Sequence, residues 1–329
     1  MTEFGRAFQS QHFDRALAEN AWLRDLLARW RPAGDAIDKN SAPDSLRLCV
    51  RDGYLNFYRA GQSIAAVSLL RDGRPRAEIH SKYVYGDRGQ GQNYVTLSSQ
   101  GYPHIDSGKL VPYEAACLDR WISNVNPSAS GVADSHHGHT GPEKRFVDLV
   151  VGNNPNVIDL EMAVPAFKDR QGLRRAPRMD LVALEPHDDR WRVVFWEVKR
   201  VDDPRARSRG DVPHVCKKQL APFAEWLEYS HTLVAAAYTR VCQILVTFHE
   251  HAKRLRPDIE DLGVGIRAVA SVGAPRLLVD CSPRLLIDDL TAPDNGFAPH
   301  LEKLRSFYEV QIVQSPDHLA LKARPCRES

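Results

Sequence analysis

Two stretches of this chain set acids and an amine among apolar residues. One is Arg178-Met179-Asp180-Leu181-Val182-Ala183-Leu184, the other Val193-Val194-Phe195-Trp196-Glu197-Val198-Lys199. Both read as β-strands, in which successive side chains alternate between faces. Glu197 and Lys199 then share a face with Val193 and Phe195, while Trp196 and Val198 point the other way. Both faces are otherwise apolar, which marks a central strand. An acid and an amine there are costly to bury unless they serve each other or a metal ion. If the two strands pair as a hairpin through the polar turn at 186–190, Asp180 and Glu197 meet at one end. Adjacent carboxylates repel, and a divalent cation removes that penalty by taking hard oxygen ligands. Such an ion polarises a phosphate and lowers the pKa of a bound water. Lys199 is placed to steady the attacking water or the charge of a pentavalent transition state. These are the groups that phosphodiester hydrolysis needs.

Asp180, sixteen intervening residues and then Glu197-Val198-Lys199 resembles the PD-(D/E)XK nuclease superfamily, with Met179 standing where proline often precedes the aspartate. The resemblance implies an α/β domain (α+β for the whole chain) with a restriction-endonuclease-like αβββαβ core. It implies Mg²⁺ or Mn²⁺ held by Asp180 and Glu197, with Lys199 acting on water or phosphate. Many members add a glutamate from the first helix of the core. Glu143 matches it, on one helical face with Phe146, Val147 and Val150. Many also carry a glutamine on the helix after the acid-x-lysine strand, followed four residues on by tyrosine. Gln219 fits that place and Phe223 replaces the tyrosine. Plainer readings stand beside these. Glu197 and Lys199 could form an ion pair on an edge strand, Glu143 could answer a helix dipole, and Gln219 could simply line its helix. Glu161 is an additional candidate ligand or a solvated strand residue.

The elements that must position these residues can be read from the pattern. The order from 140 onward is helix, strands at 156–163, 178–185 and 191–200, then a helix from near Asp211 and another at 232–255. Strand-like runs follow at 263–271 and 275–281, then a helix near 299–307 and a strand near 308–314. Before them, residues 1–30 carry apolar residues at helical spacing. Strand candidates at 46–50, 54–58, 63–70 and 77–84, separated by Asp52-Gly53, Gly61 and Asp72-Gly73, suggest an antiparallel meander. A helix is expected at 113–124 and a linker at 126–140. The domains are therefore 1–130, a helix plus β-meander for substrate or partner recognition, and 131–329, the catalytic unit.

A length of 329 residues suits two domains, and 43% hydrophobic with 26% charged residues excludes a disordered or collagen-like chain. No apolar run approaches the roughly 18 residues of a membrane span, so no membrane partner is expected. No secretory signal is visible, and the six cysteines are scattered without a CxxC pair, which fits reduced thiols in the cytoplasm. The net charge of +2 neither requires nor excludes a polyanion. Local clusters argue for one. Arg174, Arg175 and Arg178 precede Asp180, and Arg205, Arg207, Arg209, Lys217 and Lys218 follow Lys199, as phosphate-binding residues would. The meander interleaves Tyr54, Phe57, Tyr58, Tyr83 and Tyr85 with arginines. That suits single-strand stacking and equally a small sheet with a charged rim. His136, His137 and His139, and His249-Glu250-His251, read as solvated polar segments, since residues two apart do not share a helix face.

The expectation is a metal-dependent nuclease acting on nucleic acid, DNA first. A second copy of the chain or a protein partner would meet the N-terminal half. The alternative is a nuclease-fold module without turnover that binds nucleic acid or a protein.

Overall fold

The computed structural model describes residues 4–9, 11–35, 45–80, 83–84, 94–97, 104–106, 109–111, 115–123, 142–207, 210–291 and 296–324. The chain is mixed α/β with antiparallel sheets. In its first part, α1 (Phe13–Glu19) and α2 (Ala21–Ala28) precede a five-stranded antiparallel meander, β1 (Arg47–Val50), β2 (Tyr54–Arg59), β3 (Gln62–Leu69), β4 (Pro75–His80) and β5 (Tyr94–Leu97). The turn residues foreseen in the sequence form its hairpins. Between β2 and β3, Ala60 and Gly61 both take positive φ, 45° and 70°, the two-residue turn whose twist matches the strands. A short hairpin, β6 (His104–Asp106) and β7 (Lys109–Val111), and helix α3 (Ala115–Ser123) follow. The helical expectation over 1–30 is corrected. Asn20 is extended between α1 and α2 (φ −126°, ψ 105°), and its buried amide donates to the Ala16 carbonyl at 2.7 Å. Phe4 and Phe8 lie outside any helix and pack edge-on against Trp226 and Phe248.

From residue 142 the order is α4 (Pro142–Gly152), β8 (Val157–Ala163), a small hairpin of β9 (Phe167–Lys168) and β10 (Arg174–Arg175), β11 (Arg178–His187) and β12 (Arg190–Arg200). Then come α5 (Ala221–Leu255), α6 (Val264–Ala270), β13 (Leu278–Val279), β14 (Arg284–Asp288), α7 (Ala298–Arg305) and β15 (Val310–Val313). The sheet order is β15-β14-β12-β11-β8, with β13 also on β12. β11 runs antiparallel to β8 and β12, whereas β14 is parallel to β12 and β15. Side-chain alternation on β12 follows the sequence reading. Val193 and Phe195 join one core with Phe223, Tyr238 and Val241 of α5, and Val194, Trp196 and Val198 join another with Phe146 and Val150 of α4. The sheet is thus covered on both faces, which is why β12 is apolar on both.

Two expectations in this half are overturned, and one strand was not foreseen. The two helices expected from Asp211 and at 232–255 are one, entered through a π-helical turn at Cys216–Leu220. The run at 263–271 is helix α6, not strand. Ile266 and Val269, three apart, are its buried contacts, and Gly265 lies so close to Trp191 that a Cβ would come within 2.7 Å of the indole. The strand at 284–288 escaped notice because Arg284 and Asp288 interrupt the apolar run. Both are fully buried, Arg284 on Glu185 and Asp280.

The expected domain boundary at 130/131 lies outside the described residues. The described parts on either side share one core cluster, from Trp22, Leu48 and Phe57 to Phe195, Phe223 and Phe248. A buried ionic knot also joins them. Asp159 on β8 accepts from Arg6, Arg51 and Tyr238, and Arg47 pairs with Asp148 at 3.1 Å. Cys49, Cys117, Cys216, Cys242 and Cys281 are free thiols, and Cys326 lies outside the described residues. Among the described residues no helix is long and apolar enough to cross a membrane.

Candidate active site

The acids and the lysine meet where β11 and β12 stop pairing. The ladder runs from His187 opposite Arg190 to Leu181 opposite Trp196, and one residue further Asp180 and Glu197 come abreast. There the backbone ladder gives way. Asp180 Oδ2 accepts the Val198 N–H at 2.7 Å, and the end of β12 turns to β14, from Trp196 opposite Arg284 to Arg200 opposite Asp288. On the other edge, the pairs Met179–Met162 and Leu181–Leu160 bracket Asp180 and Glu161. Glu161 takes φ +50°, a left-handed conformation unfavourable for any residue but glycine. Its neighbours show the consequence. Leu160 and Leu181 point into the core under α4, whereas Met162 and Met179 point into the core under α5. The strands change face there while β8 and β11 stay paired, and the charges of Glu161 and Asp180, and of Asp180 and Glu197, act on one another.

Lys199 closes the group. It and Glu197 are each only 1% exposed, and Lys199 Nζ lies 2.5 Å from Glu197 Oε1, 2.5 Å from the Val198 carbonyl and 3.8 Å from Glu143 Oε2. Gln219, in the π-helical turn, donates from Nε2 to the same Glu197 Oε1 at 2.6 Å. Arg205 is anchored on Asp203 at 2.5 Å and reaches Glu143 at 3.8 Å. The plain reading of an edge-strand ion pair does not hold, since β12 lies between β11 and β14. Gln219 does more than line a helix.

Burial dominates the electrostatics. It raises the Glu197 carboxyl to about 8, with the neighbouring Asp180 charge adding to the rise and Lys199 opposing it. Burial likewise raises Asp180 and Glu143 above the ordinary carboxylate range, against the pull of Lys199. Burial alone would lower the Lys199 ammonium, yet Glu197, Asp180 and Glu143 outweigh it and raise it. Asp203 and Arg205 complete the group, so four carboxyl groups face two cations. That surplus, and the hard oxygen donors of Asp180, Glu197 and Glu143, fit a divalent cation. So does the side-chain oxygen of Gln219, which is buried without a hydrogen-bond partner among the described residues. Among the described residues no three His, Cys, Asp or Glu side chains already converge into an ion cage. Glu197 Oε1 is turned to Lys199 and Gln219 instead.

The basic residues expected to meet phosphate divide into two sets. Arg174, Arg178, Lys217 and Lys218 are exposed, the two lysines next to Gln219. Arg175, Arg205 and Arg207 hold the fold: Arg175 on Asp169 at 2.7 Å, Arg205 on Asp203, and Arg207 on the Val201 carbonyl with its guanidinium 5.6 Å over Phe297. Arg209 and the histidines at 136, 137 and 139 lie outside the described residues. His249 and His251 are not solvated as expected. Both are buried, His249 on the Glu260 carbonyl at 2.8 Å and His251 on Asp14 at 3.2 Å. Sequence reasoning missed Lys144, whose Nζ lies 3.5 Å from Glu161, and Asp203, which orients Arg205. Asp203 sits in an arginine-rich loop and carries no signal apart from its own charge. Compared with protein-family models, curated proteins and solved structures, the chain matches none.

Proposed function

We propose that this chain is a metal-dependent nuclease of the PD-(D/E)XK type, with a restriction-endonuclease-like core over α4, β8, β11, β12, α5 and β14, hydrolysing phosphodiester bonds of DNA. The observation that carries the proposal is the meeting of Asp180, Glu197 and Lys199 where β11 and β12 stop pairing, in a group with more carboxyl groups than cationic ones. Asp180 and Glu197, with Glu143 beside them, would hold Mg²⁺ or Mn²⁺. Bound there, the ion would polarise the scissile phosphate and lower the pKa of a water in its shell.

The protein's own groups do the rest. Lys199 keeps its proton because three carboxylates surround it, and so presents a fixed hydrogen-bond donor to water or to a phosphoryl oxygen. Gln219 fixes the orientation of the Glu197 carboxylate. Arg205, held by Asp203, offers a further cation beside Glu143. Arg174, Arg178, Lys217 and Lys218 supply exposed charge for the phosphate backbone, which gives affinity without sequence choice.

The second reading is a nucleic-acid-binding module of the same architecture without turnover. What favours it is that Glu197 Oε1 already accepts from both Lys199 and Gln219. Calorimetric titration with Mn²⁺ separates the two. The nuclease predicts saturable binding that Asp180→Ala abolishes, and a titration identical in wild type and variant contradicts it.

A further inference from the structure

A cavity of about 390 Å³ opens beside the acid group, between the two halves of the chain. Tyr54 of β2 walls it on the N-terminal side, and Lys144 of α4, Glu161 of β8 and Arg178 of β11 wall it on the other. Glu161 belongs to both places. It lies across β8 from Asp180, whose carboxyl its charge helps to raise, and it lies 3.5 Å from Lys144 Nζ in the cavity. Two residues of extended chain span about 7 Å, so Arg178 stands roughly one nucleotide's reach from Asp180.

The chemistry of the walls selects the occupant. Arg6, Arg51, Lys144 and Arg178 line the cavity against Asp52 and Glu161, an excess of positive charge. Arg6 and Arg51 are committed to Asp159, whereas the exposed Arg178 guanidinium makes no ion pair among the described residues. Tyr54 is half-buried, and it also lines a second trough along the sheet with His80 and Tyr94, the latter 57% exposed. His80 and Tyr94 meet edge to face there at 5.2 Å, so Tyr54 is the ring at the cavity wall on which an unpaired base can stack. The volume is that of a small-ligand site, about 300–1,000 Å³. It admits one nucleotide and not two paired strands.

We infer that this cavity receives one unpaired nucleotide of the substrate strand, next to the phosphate held at Asp180 and Glu197, so the substrate is single-stranded or carries an unpaired end. Arg178 holds the nucleotide's phosphate and Tyr54 stacks on its base. The inference rests on the nuclease reading for the identity of the strand, but its test needs no cleavage.

The test is fluorescence anisotropy in EDTA. It compares a labelled single strand, the same sequence as a blunt duplex, and a duplex with a single-stranded overhang. The single strand and the overhang are expected to bind about tenfold tighter than the blunt duplex. Tyr54→Ala should cost about tenfold on the single strand, and Tyr54→Phe should restore it. Arg178→Gln should weaken binding and lower the salt slope by about one. Equal affinity for blunt duplex and single strand would overturn the inference. So would unchanged single-strand binding in both Tyr54→Ala and Arg178→Gln with unchanged thermal melting. Strand binding with this mutational pattern, without metal-dependent cutting, would uphold the cavity and remove the nuclease reading. Cutting of blunt duplex that neither variant affects would do the reverse.

Discussion

At the scale of single residues, the site is a set of charges that burial holds away from their ordinary ionisation. Glu197 shows this most clearly, because its carboxyl rises from 4.5 to about 8. Below about pH 4.5 the folded and unfolded chains both carry this proton. Between there and about pH 8 the folded chain binds more of it, so stability falls as pH rises. The stabilising contribution is complete below the unfolded pKa and lost through the folded one. Asp180 and Glu143, also raised, act in the same direction. Without divalent ions the chain is therefore expected to melt a few degrees lower near pH 8 than near pH 5, and Glu197→Gln should flatten that slope. Thermal melts in EDTA across this range check it, and an unchanged slope in the variant would assign the proton to another group.

At the scale of elements, what positions the site is the parting of β11 and β12, and what supports it is the knot under β8. The pairing of Asp180 with Glu197 was legible because both runs are apolar on both faces and a polar turn joins them. The meander was legible from its turn residues. The strand β14 was not, since a buried arginine and a buried aspartate disguise it. Arg284 tolerates its position only because Glu185 and Asp280, distant or unmarked in sequence, bond to it. Helix α6 was misread because seven residues are too few to separate a period of two from one of 3.6. Asp159 shows how such hidden partners matter. Burial alone would raise its carboxyl, yet Arg51 and Arg6 outweigh that and lower it. Asp159→Ala strands two buried guanidinium groups. It should cost about 3–5 kcal/mol in urea unfolding, and a loss under about 1 kcal/mol would contradict this account of the knot.

At the scale of the whole molecule, the N-terminal half is bound into the same core as the site. Arg6 and Arg51 neutralise an acid on a strand of the site sheet, and Phe4 and Phe8 cover α5. Deleting residues 1–130 would expose that apolar surface and leave Asp159 uncompensated. The fragment 131–329 is expected to lack a cooperative thermal transition, which circular dichroism and limited proteolysis can check. A stably folded fragment would instead make the two halves independent.

The central claim is chemical, and one measurement meets it directly. Supercoiled plasmid and labelled single strands are incubated with the full chain in Mg²⁺, Mn²⁺ or EDTA, beside Lys199→Ala. The account predicts cutting with either metal, none in EDTA, and a loss of at least about 10²-fold in the variant, whose fold persists. Undiminished cutting by Lys199→Ala, or intact substrates under every condition, would contradict it.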